Sequence, residues 1–202
     1  MIAVLGYNFC SDRNAIDPMP TNVSHITNTR IENGIYDHFN VSNNVTKPYS
    51  PTIPTDWDWE TIMDCNFENN MAGIPGNSNP YPPIYIDGKD VDLRANGSWV
   101  EWKDNYEISG DYTMGIWGRD FNPNSTILTF TNDDGATVTL TYREEGEYVW
   151  VELVAIHPKW RHYYSIFSNK IAKPTDTEYL FIWNRRINNV YDLKIENRGE
   201  TV

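Results

Sequence analysis

Read from the middle of the chain onward, hydrophobic and polar residues alternate with a period of two. The clearest case is 136–142, where Val138, Leu140 and Tyr142 fall on one face and Thr137, Thr139 and Thr141 on the other. Similar runs occur at 61–67, 84–86, 98–102, 112–117, 126–131, 148–156, 163–167, 178–183 and 190–195. They are rich in β-branched and aromatic residues, which suit a pleated surface. Turn signals separate them: Asp87-Gly88 after 84–86, Asn132 to Gly135 after 126–131, and the Glu-rich stretch 144–147. Only 58–63 could form a helical turn or two. Eight to ten short strands at this spacing predict an all-β sandwich.

The leading quarter reads differently. Residues 1–55 carry Pro18, Pro20, Pro48, Pro51 and Pro54 among many Asn, Ser and Thr, without helical periodicity. Prolines at 48, 51 and 54 match the three-residue polyproline II repeat, the pattern of a semi-rigid linker. The expected organisation is an extended N-terminal arm over 1–55 and a β-sandwich domain over 56–202. The first six residues are apolar but lack a basic flank and a cleavage site, so they predict a strand or docking arm rather than a secretory signal.

Composition narrows the function. The 202 residues carry 16 basic and 28 acidic side chains, a net charge of -12 that disfavours binding to a phosphate backbone. No apolar run approaches the length of a membrane span. Two cysteines, Cys10 and Cys65, could form at most one bridge and exclude zinc sites built on CxxC pairs. No P-loop, GxGxxG or GxSxG is present, and no cofactor is expected.

The order of motifs resembles a laminin-G or concanavalin A-like jelly roll: DCNF at 64–67, NNMAG at 69–73, YTMGIW at 112–117, NSTILTF at 124–130, VTLTY at 138–142 and NVYDLKIE at 189–196. The likeness covers about residues 58 to 197 and implies a jelly-roll sandwich. PTDWDWETIM at 54–63, ahead of that turn, is similar to segments that open β-sandwich modules of bacteriophage tail and other virion proteins. This second likeness implies a virion location, with other virion proteins and copies of the same chain as partners. It also implies an arm that docks on neighbouring subunits by strand addition, and a ring or trimer.

Eight tryptophans supply candidate binding platforms. Trp117, Trp150 and Trp183 are expected to point into the sandwich. Trp99 and Trp102 differ by three and should face opposite sides. Trp57, Trp59, Trp99, Trp102 and Trp160 are the candidate platforms for a host glycan or a partner. Glu101 and Glu152, each in a Trp-bearing strand, are the one carboxylate pair a glycosidase could use. Solvated glutamates on a sheet face are the commoner alternative. Asp133 and Asp134 offer hard oxygen ligands for calcium, but Asp-Asp-Gly is also a good tight turn, and that is the preferred reading. His157 and His162 bracket the one locally basic stretch, a loop suited to an acidic surface.

Overall fold

In a computed structural model the chain is described over residues 25–43, 61–67, 84–86, 90–102, 106–107, 112–133, 135–157, 162–187 and 190–200. Among these residues there is no helix. The strands are β1 (His25–Ile26), β2 (Asn28–Glu32), β3 (Ile35–Asn43), β4 (Thr61–Asn66), β5 (Ile84–Ile86), β6 (Asp90–Asp92), β7 (Trp99–Trp102) and β8 (Tyr106–Glu107). They continue with β9 (Tyr112–Arg119), β10 (Ser125–Thr131), β11 (Thr137–Glu145), β12 (Tyr148–His157), β13 (His162–Phe167), β14 (Ile171–Ala172), β15 (Tyr179–Ile187) and β16 (Val190–Gly199).

Two antiparallel sheets of seven strands each form a sandwich-like pair. The first runs β13-β12-β11-β10-β2-β7, with β14 extending the β13 side of β12. The second runs β16-β15-β9-β3-β6-β5, with β4 sharing the free side of β3. A small separate ladder pairs β1 with β8. The predicted alternation on β11 holds: Leu140 and Tyr142 enter the core with Val138 packed against it, and the three threonines face away.

One apolar cluster joins the inner faces of both sheets, including Ile31, Leu128, Leu140 and Val151 from the first and Tyr36, Phe39, Met114 and Ile182 from the second. Phe39 of β3 lies 6.0 Å from Trp102 of β7 and 6.4 Å from Phe130 of β10, centroid to centroid. Each such side chain, fully buried, stabilises the fold by about 1.5–3 kcal/mol.

Residues 28–43, expected to belong to an extended arm, instead form inner strands of the two sheets. β2 sits between β10 and β7, and β3 between β9 and β4, with Ile31, Ile35, Tyr36, Phe39 and Val41 all buried. An arm cannot supply the middle strand of two sheets, so the sandwich starts well before residue 56. Of the rest of the expected arm, 1–24 and 44–55 lie outside the described residues, as does Cys10. Of the possible helical turn at 58–63, the described part, 61–63, belongs to β4.

Three passages between the sheets meet at one end. Asn33 (φ 61°) and Gly34 carry β2 into β3. Leu93 to Ser98 carries β6 into β7, and Asp120 (φ 48°) to Asn124 (φ 53°) carries β9 into β10. Asn and Asp tolerate this left-handed backbone better than other side chains. Backbone bonds stitch the passages together: Asn33 N–H to Leu93 O at 3.0 Å, Leu93 N–H to Gly34 O at 2.8 Å, and Asn122 N–H to Asn33 O at 2.8 Å. The Phe121 ring closes this end, lying directly over Gly34 and Gly118.

Candidate interaction surface

Register decides which side chains face outward from the first sheet. On β12, Val149, Val151, Leu153 and Ala155 belong to the core, so Tyr148, Trp150, Glu152, Val154 and Ile156 point away from it. Directly opposite on β11 stand Glu145, Arg143, Thr141, Thr139 and Thr137. On β10 the row continues with Thr126, Thr129 and Thr131, on β2 with Asn28, Arg30 and Glu32, and on β7 with Trp99 and Glu101. Phe167 of β13 lies opposite Glu152.

Among the described residues, the three large hydrophobic side chains left most open to solvent all stand on this face: Phe167 at 61%, Tyr148 at 56% and Ile156 at 44% exposed. They are strung along β12 and β13: Tyr148 and Ile156 stand toward opposite ends of β12, about 26 Å apart at the usual strand rise, with Phe167 midway opposite Glu152, and among the described residues β13 pairs with β12 alone. An open strand edge beside exposed apolar side chains is a template for docking.

The carboxylates on this face are engaged. Glu152 is 6% exposed and accepts from Arg143 at 2.9 Å (Nε) and 2.6 Å (Nη2) through one oxygen. Its other oxygen accepts from the Ser165 hydroxyl at 3.1 Å. Glu101 accepts from the Asn28 amide at 2.6 Å. Four strand intervals separate β7 from β12, about 19 Å at the usual spacing. A retaining glycosidase needs its carboxyl groups about 5 Å apart. Sheet order therefore holds Glu101 and Glu152 too far apart to act as acid and nucleophile on one bond.

The tryptophans divide in a way alternation alone did not reveal. Trp99 and Trp102 do face opposite sides. Trp99 is half-buried on the outer face, with the Arg30 guanidinium 4.3 Å from its ring centroid. Trp102 has no exposed surface and packs in the core against Phe39 and Phe67, which removes it as a platform. Trp150 was expected inside; it stands half-buried on the outer face with the Lys170 ammonium 4.1 Å over its ring. Trp57, Trp59 and Trp160 lie outside the described residues.

Trp117 and Trp183 are buried, but not in the space between the sheets. Alternation on β9 and β15 sends Met114, Ile116, Leu180 and Ile182 inward and Trp117, Phe181 and Trp183 to the outer face of the second sheet. There Trp117 stacks on Phe181 at 4.2 Å and 21°, and His38 meets Trp117 edge-on at 5.2 Å. Arg198 lies over Phe181 and Arg185 over Trp183. Asn40, Ser42 and Thr113 on the same face are buried as well. Over these residues the outer face of the second sheet is buried, while Lys194, opposite Trp183, is exposed.

Charges concentrate where β6, β9 and β15 meet. Asp90 accepts from Arg119 at 3.0 and 2.9 Å and from the Tyr179 hydroxyl at 2.5 Å, all on one oxygen. Burial, and then the bond to Asp90, push the Tyr179 phenol up to about 12. Arg94 grips Asp92 through two parallel bonds of 2.9 and 2.7 Å and also pairs with Asp120. The hydrogen bond from Arg94 holds the Asp92 carboxyl below the usual range. These ion pairs tie strands to crossovers.

Among the described residues no group of three His, Cys, Asp or Glu side chains is placed to hold a metal. Asp134 lies outside them. Asp133 is exposed in a turn where Gly135 (φ 76°) donates to Asn132 O at 3.0 Å and the Asn132 side chain accepts from Ala136 N–H at 2.8 Å. His157 and His162 are opposed at the end of the β12–β13 ladder, and the loop between them lies outside the described residues. Among the described residues no helix is long and apolar enough to cross a membrane.

Sequence reasoning did not single out Tyr148, Ile156, Phe167, Arg30 or Arg143. The alternation on β12, with Glu152 between Val151 and Leu153, carried the signal for the first two. No protein-family model matches the chain, and comparison with curated proteins and with solved structures likewise returns no match.

Proposed function

We propose that this chain is a structural and binding protein that works through the outer face of its first sheet, as a subunit of a larger assembly. The observation that carries this is that Phe167, Tyr148 and Ile156, the large hydrophobic side chains left exposed among the described residues, all stand on that one face, on β12 and the edge strand β13. In its finer form the reading is a jelly-roll sandwich in a bacteriophage virion, of the tail, baseplate or fibre apparatus. Its partners are copies of itself and other virion proteins. The motif resemblance and the acidic, Asn- and Tyr-rich composition support that form.

Light scattering on the full chain, compared with Phe167→Asp and Ile156→Asp, tests the proposal. Both substitutions fall on solvent-exposed positions and should leave folding intact by circular dichroism. The expected result is an assembled wild type and dissociated, folded variants. A wild type that neither self-associates nor binds to virion particles would refute it.

A second reading, a lectin-like module, is favoured by one observation: Trp99 shares the outer face with Trp150 and with polar rows from β2, β10 and β11. Binding on a glycan array that is lost in Trp99→Ala would establish it, and an array with no signal would remove it.

A further inference from the structure

The chain contains two Asn-Gly dipeptides, Asn33-Gly34 and Asn96-Gly97. The structure places them in opposite environments. Ala95, Asn96 and Gly97 form an exposed turn closed by Ser98 N–H to Ala95 O at 2.9 Å. Gly97 has φ 79°, and a Cβ built on it meets nothing within 4 Å. Asn33 is held on every side. Its side-chain amide donates to Thr126 O at 2.6 Å and accepts from the Asn122 amide at 3.3 Å. Its backbone N–H and C=O are both bonded, and the Phe121 ring lies against Gly34.

We infer that Asn96 is a site of spontaneous backbone modification, with Asn33 its protected counterpart. The Gly97 backbone nitrogen attacks Cγ of Asn96. A new C–N bond forms, the bond to the side-chain nitrogen breaks, and ammonia leaves with the proton from Gly97 N–H. Water then adds to either carbonyl of the five-membered imide and opens it to aspartate or isoaspartate. Water is consumed, ammonia is released, and nothing is oxidised or reduced. Glycine favours the step because it has no side chain to crowd the attacking nitrogen. At Asn33 the same ring closure would break the bond to Thr126 O and turn the Gly34 backbone against Phe121. That requires local opening of the corner where the three passages between the sheets are bonded together.

The product has a consequence at this position. The turn is part of the link that carries the chain from β6 in one sheet to β7 in the other. Isoaspartate would lengthen that link by one backbone carbon and add a negative charge two residues from Arg94.

The test is incubation of the folded, full-length protein at mildly alkaline pH. Peptide mapping and methyl transfer by an isoaspartyl methyltransferase then locate the product. Isoaspartate is expected at 96, rising with pH as the Gly97 amide deprotonates more readily. Position 33 is expected to react at least about tenfold more slowly, the factor for about 1.4 kcal/mol of opening. In denaturant the two rates should converge, which separates structural protection from sequence. Equal rates in the folded protein would overturn the inference. So would an Asn96 at least about tenfold slower when folded than when denatured.

Discussion

Gly34 and Gly118 both lie under the Phe121 ring, yet they should respond in opposite ways when that ring is removed. A Cβ on Gly34 would stand 2.5 Å from Phe121 Cδ1, 3.0 Å from Cε1 and 3.2 Å from Tyr36 Cζ, all of them side-chain atoms. A Cβ on Gly118 would stand 2.9 Å from Phe121 Cζ but also 2.8 Å from the Ile35 carbonyl oxygen, which the sheet holds fixed. In the wild type each Gly→Ala change should cost about 1–3 kcal/mol through overpacking. Phe121→Ala alone should cost about 3–5 kcal/mol, since the ring is almost fully buried and touches Tyr36 and Tyr142 at centroid distances of 5.6 and 5.2 Å. In the Phe121→Ala background the Gly34 clash is mostly gone, and the new methyl group enters the vacated space. Gly34→Ala should then be neutral or stabilising by about 0.5 kcal/mol, because alanine also reduces the freedom of the unfolded chain. The coupling energy is therefore about 1–3 kcal/mol. Gly118→Ala should remain destabilising in both backgrounds. Urea unfolding followed by tryptophan fluorescence measures all six proteins. A cycle that closes additively for Gly34, to within about 0.5 kcal/mol, would refute the reasoning. So would equal relief at Gly118.

Three further outcomes are expected. Removing one partner of the Arg143–Glu152 pair, as in Arg143→Met, should cost about 1–3 kcal/mol, discounted because Arg143 is partly exposed; replacing both partners by Met should recover most of it, and a chemical-denaturation cycle checks this. Trp102→Ala should cost about 3–5 kcal/mol while Trp99→Ala costs about 1–2 kcal/mol, since one is core and the other a half-buried ring under Arg30; thermal melts distinguish them. The Tyr179 phenol, raised from 10.0 to about 12, favours the folded state fully below pH 10 and loses that contribution between pH 10 and 12. Phenolate absorbance should show late-titrating tyrosines, and Tyr179→Phe should shift the alkaline unfolding limb; a titration in which every tyrosine ionises near pH 10 would contradict the buried geometry.

The strands that could be read from sequence are those with one wet and one dry face. β11 is the plainest: its threonines and its apolar residues separate cleanly. β2 and β3 hid for different reasons. β2 buries Ile31 but fills its other inward place with Thr29, so its pattern reads as polar. β3 has a bulge between Tyr36 and His38 that shifts the period, and then presents Asn40 and Ser42 to a face that is buried. β9 is buried on both faces almost throughout, so alternation could not assign Trp117. The separation of Glu101 from Glu152 depends on strand order across the sheet, which no local pattern encodes. The exposure of Phe167 belongs to the same class, because it follows from β13 lying at an edge.

The interior placement of β2 and β3 has a consequence for the order of events at the ribosome. Ile31 is ladder-paired with Leu128 and Phe39 with Ile116, so these strands emerge roughly 80–100 residues ahead of the neighbours they need. At about 5–20 residues per second they wait on the order of 5–20 s with their apolar side chains bare. Translation speed and holding chaperones should therefore govern the yield of native protein more strongly than its final stability does.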